Sequence, residues 1–264
     1  MLSENKRSFV RCLRWRSALF IALLAALLSP RCVMAQSSDQ QLWVDGILGR
    51  NFEAVYMFET EFSYQTLITK GEQWKSLNVS PSIERSMTPH WDLMFCVPLS
   101  YTLQDNSTNT FETRLQLGTR FYFTPFARVQ TRLTIRQEQR FLTTLEPDRS
   151  TQQSSRTRFR AELIVPLDQR NYAVDTMWYA LADFEAFLTY DKELDERFAN
   201  RTRARIGIGR KFSYNFRTEF IYCFQRSRTT MDDTEYTDES IFRLRFKYYF
   251  TPPNRRRDMG DNSN

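Results

Sequence analysis

Residues 128–141 read RVQTRLTIRQEQRF, and their even positions, Arg128, Gln130, Arg132, Thr134, Arg136, Glu138 and Arg140, hold no apolar side chain. The odd positions run Val129, Thr131, Leu133, Ile135, Gln137, Gln139 and Phe141. Side chains of a strand alternate between two faces, so a period of two with β-branched residues on one side predicts a β-strand. Arginines four apart also share one face of a helix, so their spacing alone fits either period. The stretch just before, 111–123 (FETRLQLGTRFYF), decides the matter. There the odd positions are Phe, Thr, Leu, Leu, Thr, Phe, Phe, and the even ones Glu, Arg, Gln, Gly, Arg, Tyr. Two alternating segments joined by Thr124-Pro125-Phe126-Ala127 form a strand pair.

The same pattern extends outward in both directions. Alternating segments cover 41–49, 54–66, 74–84, 91–103, 156–165, 178–190, 201–211, 216–226 and 240–250, which with the first two makes eleven. Connections alternate in length. Arg50-Asn51-Phe52, Ser86 to Pro89, Thr124-Pro125-Phe126 and Ser213-Tyr214-Asn215 are short, whereas 104–109, 142–155, 191–200 and 227–238 are long. Short turns at one rim and long loops at the other are the pattern of outer-membrane barrels, which in bacterial single chains have even strand numbers. The fold predicted is therefore all-β, a single antiparallel up-and-down transmembrane β-barrel of 10–12 strands. The even rule favours 10 or 12, with a further strand near 168–175 or a first segment outside the barrel.

Alternation does not say which face points outward. Several segments reach ten or more residues, enough to cross a bilayer at a tilt. Aromatics gather near segment ends (Trp43, Tyr56, Trp74, Trp91, Trp178, Phe216), as interfacial girdles require. The last segment closes as Phe242, Leu244, Phe246, Tyr248, Phe250, an alternation like the signal read by the outer-membrane barrel assembly machinery, although 251–264 follow it. These features put Phe58, Phe62, Phe95, Phe121, Leu133 and Phe246 against lipid. The alternative is a secreted soluble barrel, lipocalin-like, binding an apolar ligand.

The N-terminus supports export. Lys6, Arg7, Arg11, Arg14 and Arg16 precede an apolar run at 18–28, and Val33-Met34-Ala35 offers small residues for cleavage before Gln36. That run is shorter than the ~20 residues of a membrane-spanning helix. The domains read are a signal peptide at 1–35, an outer-membrane barrel at 36–250 and a disordered tail at 251–264. The leader holds six of the 37 Lys and Arg and one of the 31 Asp and Glu, so removing it leaves 31 against 30 and turns +6 into +1. Net charge then gives no footprint for nucleic acid. Cys96 and Cys223 are the two cysteines left after cleavage, too few for a disulfide framework.

With apolar faces outward, the lumen receives Glu59, Glu61, Arg114, Arg120, Arg128, Arg132, Arg136, Arg140, Glu162, Asp183, Glu185, Arg203 and Arg205 as an interleaved charge network. Asp183 and Glu185 are placed to meet Arg203 and Arg205, and Glu162 to meet Arg132 or Arg136. The planar fork of arginine suits confined pairing with carboxylates. Ten to twelve strands make a narrow barrel beside porins of 16 to 18, so the lumen is either filled by this network or forms a narrow path for small solutes that favours anions. Catalysis has little support. The single histidine, His90, sits in the turn Thr88-Pro89-His90, and no nucleophile accompanies Asp183 and Glu185. One histidine and two separated cysteines exclude a conventional zinc site, and no other cofactor is implied. The acidic loops around 191–196 and 232–239 lack the spacing of a cation loop and read as solvated charge.

One stretch carries a family resemblance. Asp183-Phe184-Glu185-Ala186-Phe187 is followed by Phe198-Ala199-Asn200-Arg201, then Ile206-Gly207-Ile208-Gly209, and finally Tyr222-Cys223-Phe224-Gln225. An acidic residue in an aromatic strand, an Asn-Arg, a Gly-x-Gly strand and a closing Tyr-x-x-Gln resemble the bacterial family known as domain of unknown function 2490. The likeness spans roughly residues 41–250, and it implies an outer-membrane barrel with no established activity. Seven glycines in the whole chain is fewer than that family's pattern suggests.

Overall fold

The computed structural model describes residues 39–250 apart from 54, 70–72, 106–108, 125–127, 146–148, 171, 173, 190–200 and 229–235. The leader, the tail and most of both acidic loops lie outside the described residues. Twelve strand segments follow one another: β1 (Asp39–Phe52), β2 (Tyr56–Leu67), β3 (Trp74–Thr88), β4 (Trp91–Cys96), β5 (Leu99–Gln104), β6 (Thr110–Tyr122), β7 (Gln130–Thr144), β8 (Ser150–Pro166), β9 (Met177–Thr189), β10 (Arg201–Lys211), β11 (Phe216–Arg228) and β12 (Tyr236–Tyr249). Strands that follow one another around the barrel pair antiparallel, and the sheet closes on itself through a parallel pair, β1 with β12.

Segments β4 and β5 together make one barrel strand. Both lie between β3 and β6, and the chain slips between them at Val97-Pro98. Proline has no N–H to give the ladder, but its carbonyl still accepts from Arg114 N at 2.9 Å, and Val97 N donates to Pro81 O at 3.0 Å. The barrel therefore has eleven strands, as the alternating segments number, and the even count expected from bacterial precedent is replaced. An odd number brings the first and last strands together pointing the same way. β1 and β12 accordingly pair in parallel over eleven residues, from Asp39↔Glu239 to Gly49↔Tyr249. Residues 168–175 add no strand, and the first segment is a full member of the wall.

The sequence reading also placed some ends wrongly. Arg50, Asn51 and Phe52 continue β1, and the turn falls at 53–55, with Glu53 at a φ of 47°. The polar run 142–155 was expected as a loop. Most of it is ladder, with Leu142↔Gln152, Thr143↔Thr151 and Thr144↔Ser150 in register. Cross-strand hydroxyl and amide pairs support it there, such as Thr143 with Thr151 at 3.1 Å and Gln137 Nε2 donating to Ser155 Oγ at 2.9 Å.

The two rims differ. The ends of β2 and β3, β5 and β6, β7 and β8, β9 and β10, and β11 and β12 that follow one another in the chain meet at the upper rim, and those of β1 and β2, β3 and β4, β6 and β7, β8 and β9, and β10 and β11 at the lower. The 167–176 connection is long for its rim because it folds inward. Tyr172 packs with Ile164, Met177 and Tyr179 inside the wall, its ring 5.9 Å from that of Tyr179. Two glycines make room for this layer. A Cβ on Gly209 would stand 2.3 Å from Tyr179 Cζ, and one on Gly49 2.6 Å from Tyr249 Cδ1. Both tyrosine rings thus lie flat across bare backbone.

Parallel closure has a direct test. Val44 and Leu244 are partners on the outward side of β1 and β12. With Cys96 and Cys223 replaced by Ser, a Val44→Cys/Leu244→Cys pair is expected to oxidise within the folded barrel and alter its gel migration. Failure to cross-link while Val44→Cys still pairs with Tyr64→Cys on β2 would mean that the barrel closes elsewhere.

Candidate functional site: an arginine-lined lumen

The face that alternation turns inward is charged, and acids and bases are interleaved on it. Asp45, Asp92 and Glu138 are fully buried and Glu185 is 2 % exposed. Arginines pair with Asp45, Glu138 and Glu185, and Arg156 and Arg205 are themselves only 4 % exposed. Glu138 accepts from Arg156 Nε at 2.6 Å, Arg158 at 2.6 Å and Gln116 Nε2 at 2.7 Å. Arg158 spans to Glu185 at 2.5 Å, and Glu185 also meets Arg205 at 3.3 Å and Arg203 at 3.4 Å. Arg205 reaches Asp183 at 2.6 Å, Asp183 meets Arg160 at 3.0 Å, and Arg160 shares Glu162 with Arg132 at 2.7 and 2.8 Å. One unbroken chain of ion pairs thus runs from Arg156 on β8 through β7, β9 and β10 and back to Arg132 on β7. A second network, on β1, β2, β11 and β12, joins Asp45, Glu61 and Glu219 to Arg243, Arg245 and Lys247. Trp43 supplies a face to both Arg203 and Arg243, at 5.4 and 5.3 Å.

These pairs are held in place by register. Lumen-facing residues directly opposite on neighbouring strands stand about 4.5–5.5 Å apart at Cβ. Arg132↔Glu162↔Asp183↔Arg205 is one such row, and Arg160↔Glu185↔Arg203 another. Every carboxylate in these two rows has an arginine directly opposite it on a neighbouring strand, within reach of the guanidinium fork.

The other half of the lumen is lined by small hydroxyls. β3 turns Ser76, Asn78, Ser80, Ser82 and Ser86 inward, and Ser63 and Ser100 flank them. Short side chains leave space. A cavity of about 1070 Å³ lies between the serine wall and the arginines, lined from Gln73, Trp74 and Gln104 near the upper rim to Asn51, Pro89 and Thr124 near the lower. Beside it, the lower rim is narrowed by tyrosines. Tyr179 OH donates to Glu219 at 2.7 Å, Tyr249 OH to Glu59 at 3.1 Å, and Arg217 donates to Tyr172 OH at 2.9 Å. Lys211, 1 % exposed, donates to the Tyr172 carbonyl at 3.1 Å.

The residues singled out by sequence fall as follows. Arg114 and Arg140 share Glu112, Arg120 meets Glu84 at 2.9 Å, and Glu61 meets Arg243 at 2.9 Å. Arg136 faces the lumen but lies against Gln116 Oε1 at 3.0 Å rather than Glu162. Arg128 is a correction. It precedes β7, is exposed at the lower rim, and donates to the Pro166 carbonyl at 3.1 Å, because the strand begins only at Gln130. Phe58, Phe62, Phe95, Phe121 and Phe246 are exposed on the outer surface, and Leu133 shares their side of β7 and is half-buried. His90 is exposed in its turn, and both cysteines are buried and free. Among the described residues no cluster of His, Cys, Asp and Glu is arranged to hold a metal ion.

Comparison with known families places the chain. Residues 40–236 match the family described as protein of unknown function (DUF2490). The chain belongs to this family. No curated protein matches it. Among solved structures, the β-domain of the Bordetella autotransporter BrkA aligns with 76 % of this chain and 86 % of its own, at 10 % identity and a TM-score of 0.47. The family match covers the strands that carry both ion-pair networks, except that β12 lies beyond it.

Sequence reasoning overlooked Asp45, Asp92, Lys211, Tyr172 and Tyr179. Asp45 lay in 41–49, where apolar Leu42, Trp43 and Val44 run together and alternation is least clear, and Tyr172 in a stretch with no alternation at all. Only the glycines opposite Tyr179 and Tyr249 could have hinted at the tyrosine layer. Removing one member of a buried ion network leaves its partners charged and unpaired, at a cost of about 3–5 kcal/mol. Glu138→Ala, which takes the carboxylate from Arg156 and one acceptor each from Arg158 and Gln116, is expected to lose stability of that order in urea unfolding of the folded barrel. A loss below about 1 kcal/mol would show that the network is not cohesive.

Proposed function

We propose that the protein is an outer-membrane β-barrel whose lumen is a narrow, guanidinium-lined path for small solutes, favouring anions. The observation that carries this reading is the charge of the cavity lining. Fourteen Arg and Lys side chains line it against ten Asp and Glu, so a solute meets an excess of guanidinium facing a wall of serine hydroxyls.

Placement in lipid rests on the outer surface. Leu77 on β3, Phe95 on β4, Leu117 on β6, Phe184 on β9, Ile206 on β10 and Phe220 on β11 are each between 43 and 58 % exposed to solvent, and other strands add more. Water-exposed apolar patches on soluble monomers rarely exceed a few hundred Å²; a belt around a cylinder fits hydrocarbon. A lipocalin-like barrel would carry its apolar side chains inside, where this one carries arginines. Export by the 1–35 leader, and recognition of the β12 alternation by the barrel assembly machinery, complete the route to the outer membrane.

Spread over the ~30 Å of a bilayer core, the 1070 Å³ cavity averages roughly 35 Å² in section. That admits water and small ions and excludes a folded chain. No bound cofactor and no catalysis are part of this reading. The two lumen carboxylates nearest each other in register, Glu162 and Asp183, are both engaged by arginines.

The test has two parts. The exported protein is expected in the outer-membrane fraction, with gel mobility that changes on heating. In planar bilayers it is expected to give small, anion-selective steps that shrink several-fold in Asn78→Trp, which fills the open side at a position whose cross-strand neighbours are Ser63 and Ser100. Recovery as a detergent-free soluble protein would refute the membrane placement, and silence across many verified insertions would refute the path.

A further inference from the structure

The arginines of β6, β7 and β8 are not spread evenly along the lumen. Thr134 lies directly opposite Arg120 on β6 and Arg160 on β8, and its same-face neighbours along β7 are Arg132 and Arg136. All four positions nearest to Thr134 on the lumen side of the sheet are thus arginine. Thr134 itself is buried beneath them, and all four guanidiniums line the cavity.

Their carboxylate partners do not match them in number. Arg120 has Glu84, and Arg132 and Arg160 divide Glu162 between them. Asp183 also meets Arg160, but at 2.6 Å it is closer to Arg205. Asp92, opposite Arg120 in register, accepts from Tyr122 OH at 2.8 Å. Glu138, next on β7 after Arg136, is taken by Arg156, Arg158 and Gln116. The contact found for Arg136 is the neutral amide of Gln116. Donors also remain over. The Nε–H groups of Arg120 and Arg160 are buried without an acceptor, and Arg132 Nε, though 2.8 Å from Glu162, is not aligned to bond it. Buried donors without acceptors are rare because each costs a full desolvation penalty.

Deepening the channel reading on which it rests, we propose that the arginine cross over Thr134 is a binding site for a small tetrahedral oxyanion, phosphate or sulfate, on the path through the lumen. Such an anion offers several oxygens in directions that converging guanidinium forks can meet two at a time, and it supplies the charge that Glu84 and Glu162 leave uncompensated. Chloride supplies charge without directed acceptors, so the site is expected to tell the two apart.

The experiment is a calorimetric titration of the folded barrel in zwitterionic detergent with potassium phosphate, potassium sulfate and potassium chloride at matched ionic strength. Saturable binding of about one phosphate or sulfate per barrel is expected, weakened at least tenfold in Arg136→Gln and in Arg160→Gln. Arg136→Gln strands no carboxylate, so it tests the site without breaking the ion-pair chain; heat-shifted migration reports that each variant has folded. Arg226→Gln, at an exposed pair with Asp238 near the upper rim, is expected to bind as the parent does. Identical phosphate and chloride titrations, or binding unchanged in Arg136→Gln, would overturn the proposal. Titration reads the site whether or not ions cross. Conductance without oxyanion binding would therefore sink the site and leave the channel, and binding without conductance would do the reverse.

Discussion

Closure of the sheet is the constraint on which everything else in this molecule depends. An open sheet of eleven long strands would leave two edges of unpaired N–H and C=O groups, a liability in water and untenable in lipid. Parallel pairing of β1 with β12 over eleven residues removes both edges. A closed wall has two surfaces and no third, so every second side chain must tolerate confinement and every other one must tolerate whatever lies outside. The alternation in the sequence is the imprint of that division.

Confinement then dictates the chemistry inside. A cylinder this narrow cannot solvate so many charges with bulk water, and most find a partner of opposite sign in the wall, commonly on the next strand. Strand register supplies them, as in the row Arg132, Glu162, Asp183 and Arg205. Some carboxylates, such as Asp45 and Glu138, end fully buried, while others, such as Glu61 and Glu162, share the cavity lining with the guanidiniums. The barrel is lopsided for a related reason. β3 brings serines and asparagine where β7 and β8 bring arginines, and the cavity follows the side with the smaller residues. The lower rim receives a third kind of filling, tyrosine rings laid over Gly49 and Gly209.

Much of this was legible in the sequence because alternation is a local signal. The period of two marked the strands, counting segments made eleven, and the resemblance to the family rested on short motifs between Asp183 and Gln225. The error lay in preferring an even number, a rule drawn from other barrels, over the count itself; nothing in a single chain's periodicity says how its ends meet. The run 142–155 was misread because Thr, Gln and Ser suggest a loop when their cross-strand partners are unknown, and Arg128 because one more step of alternation looked free. Asp45 and Tyr172 were out of reach for a different reason. Their roles are set by residues 198 and 45 positions away, Arg243 and Arg217 respectively, and no short window of sequence contains both members of such a pair.

The central claim is that the apolar face meets hydrocarbon while the charged face meets a water-filled path. Spin labels attached to single cysteines at Phe95, Phe220 and Phe246 outside, and at Ser80 and Ser82 inside, measure it directly in bilayers. The outer three are expected to collide freely with oxygen and hardly at all with a water-soluble nickel chelate, and the inner two to show the reverse. Nickel access at all five positions, or oxygen-dominated access at Ser80, would contradict it.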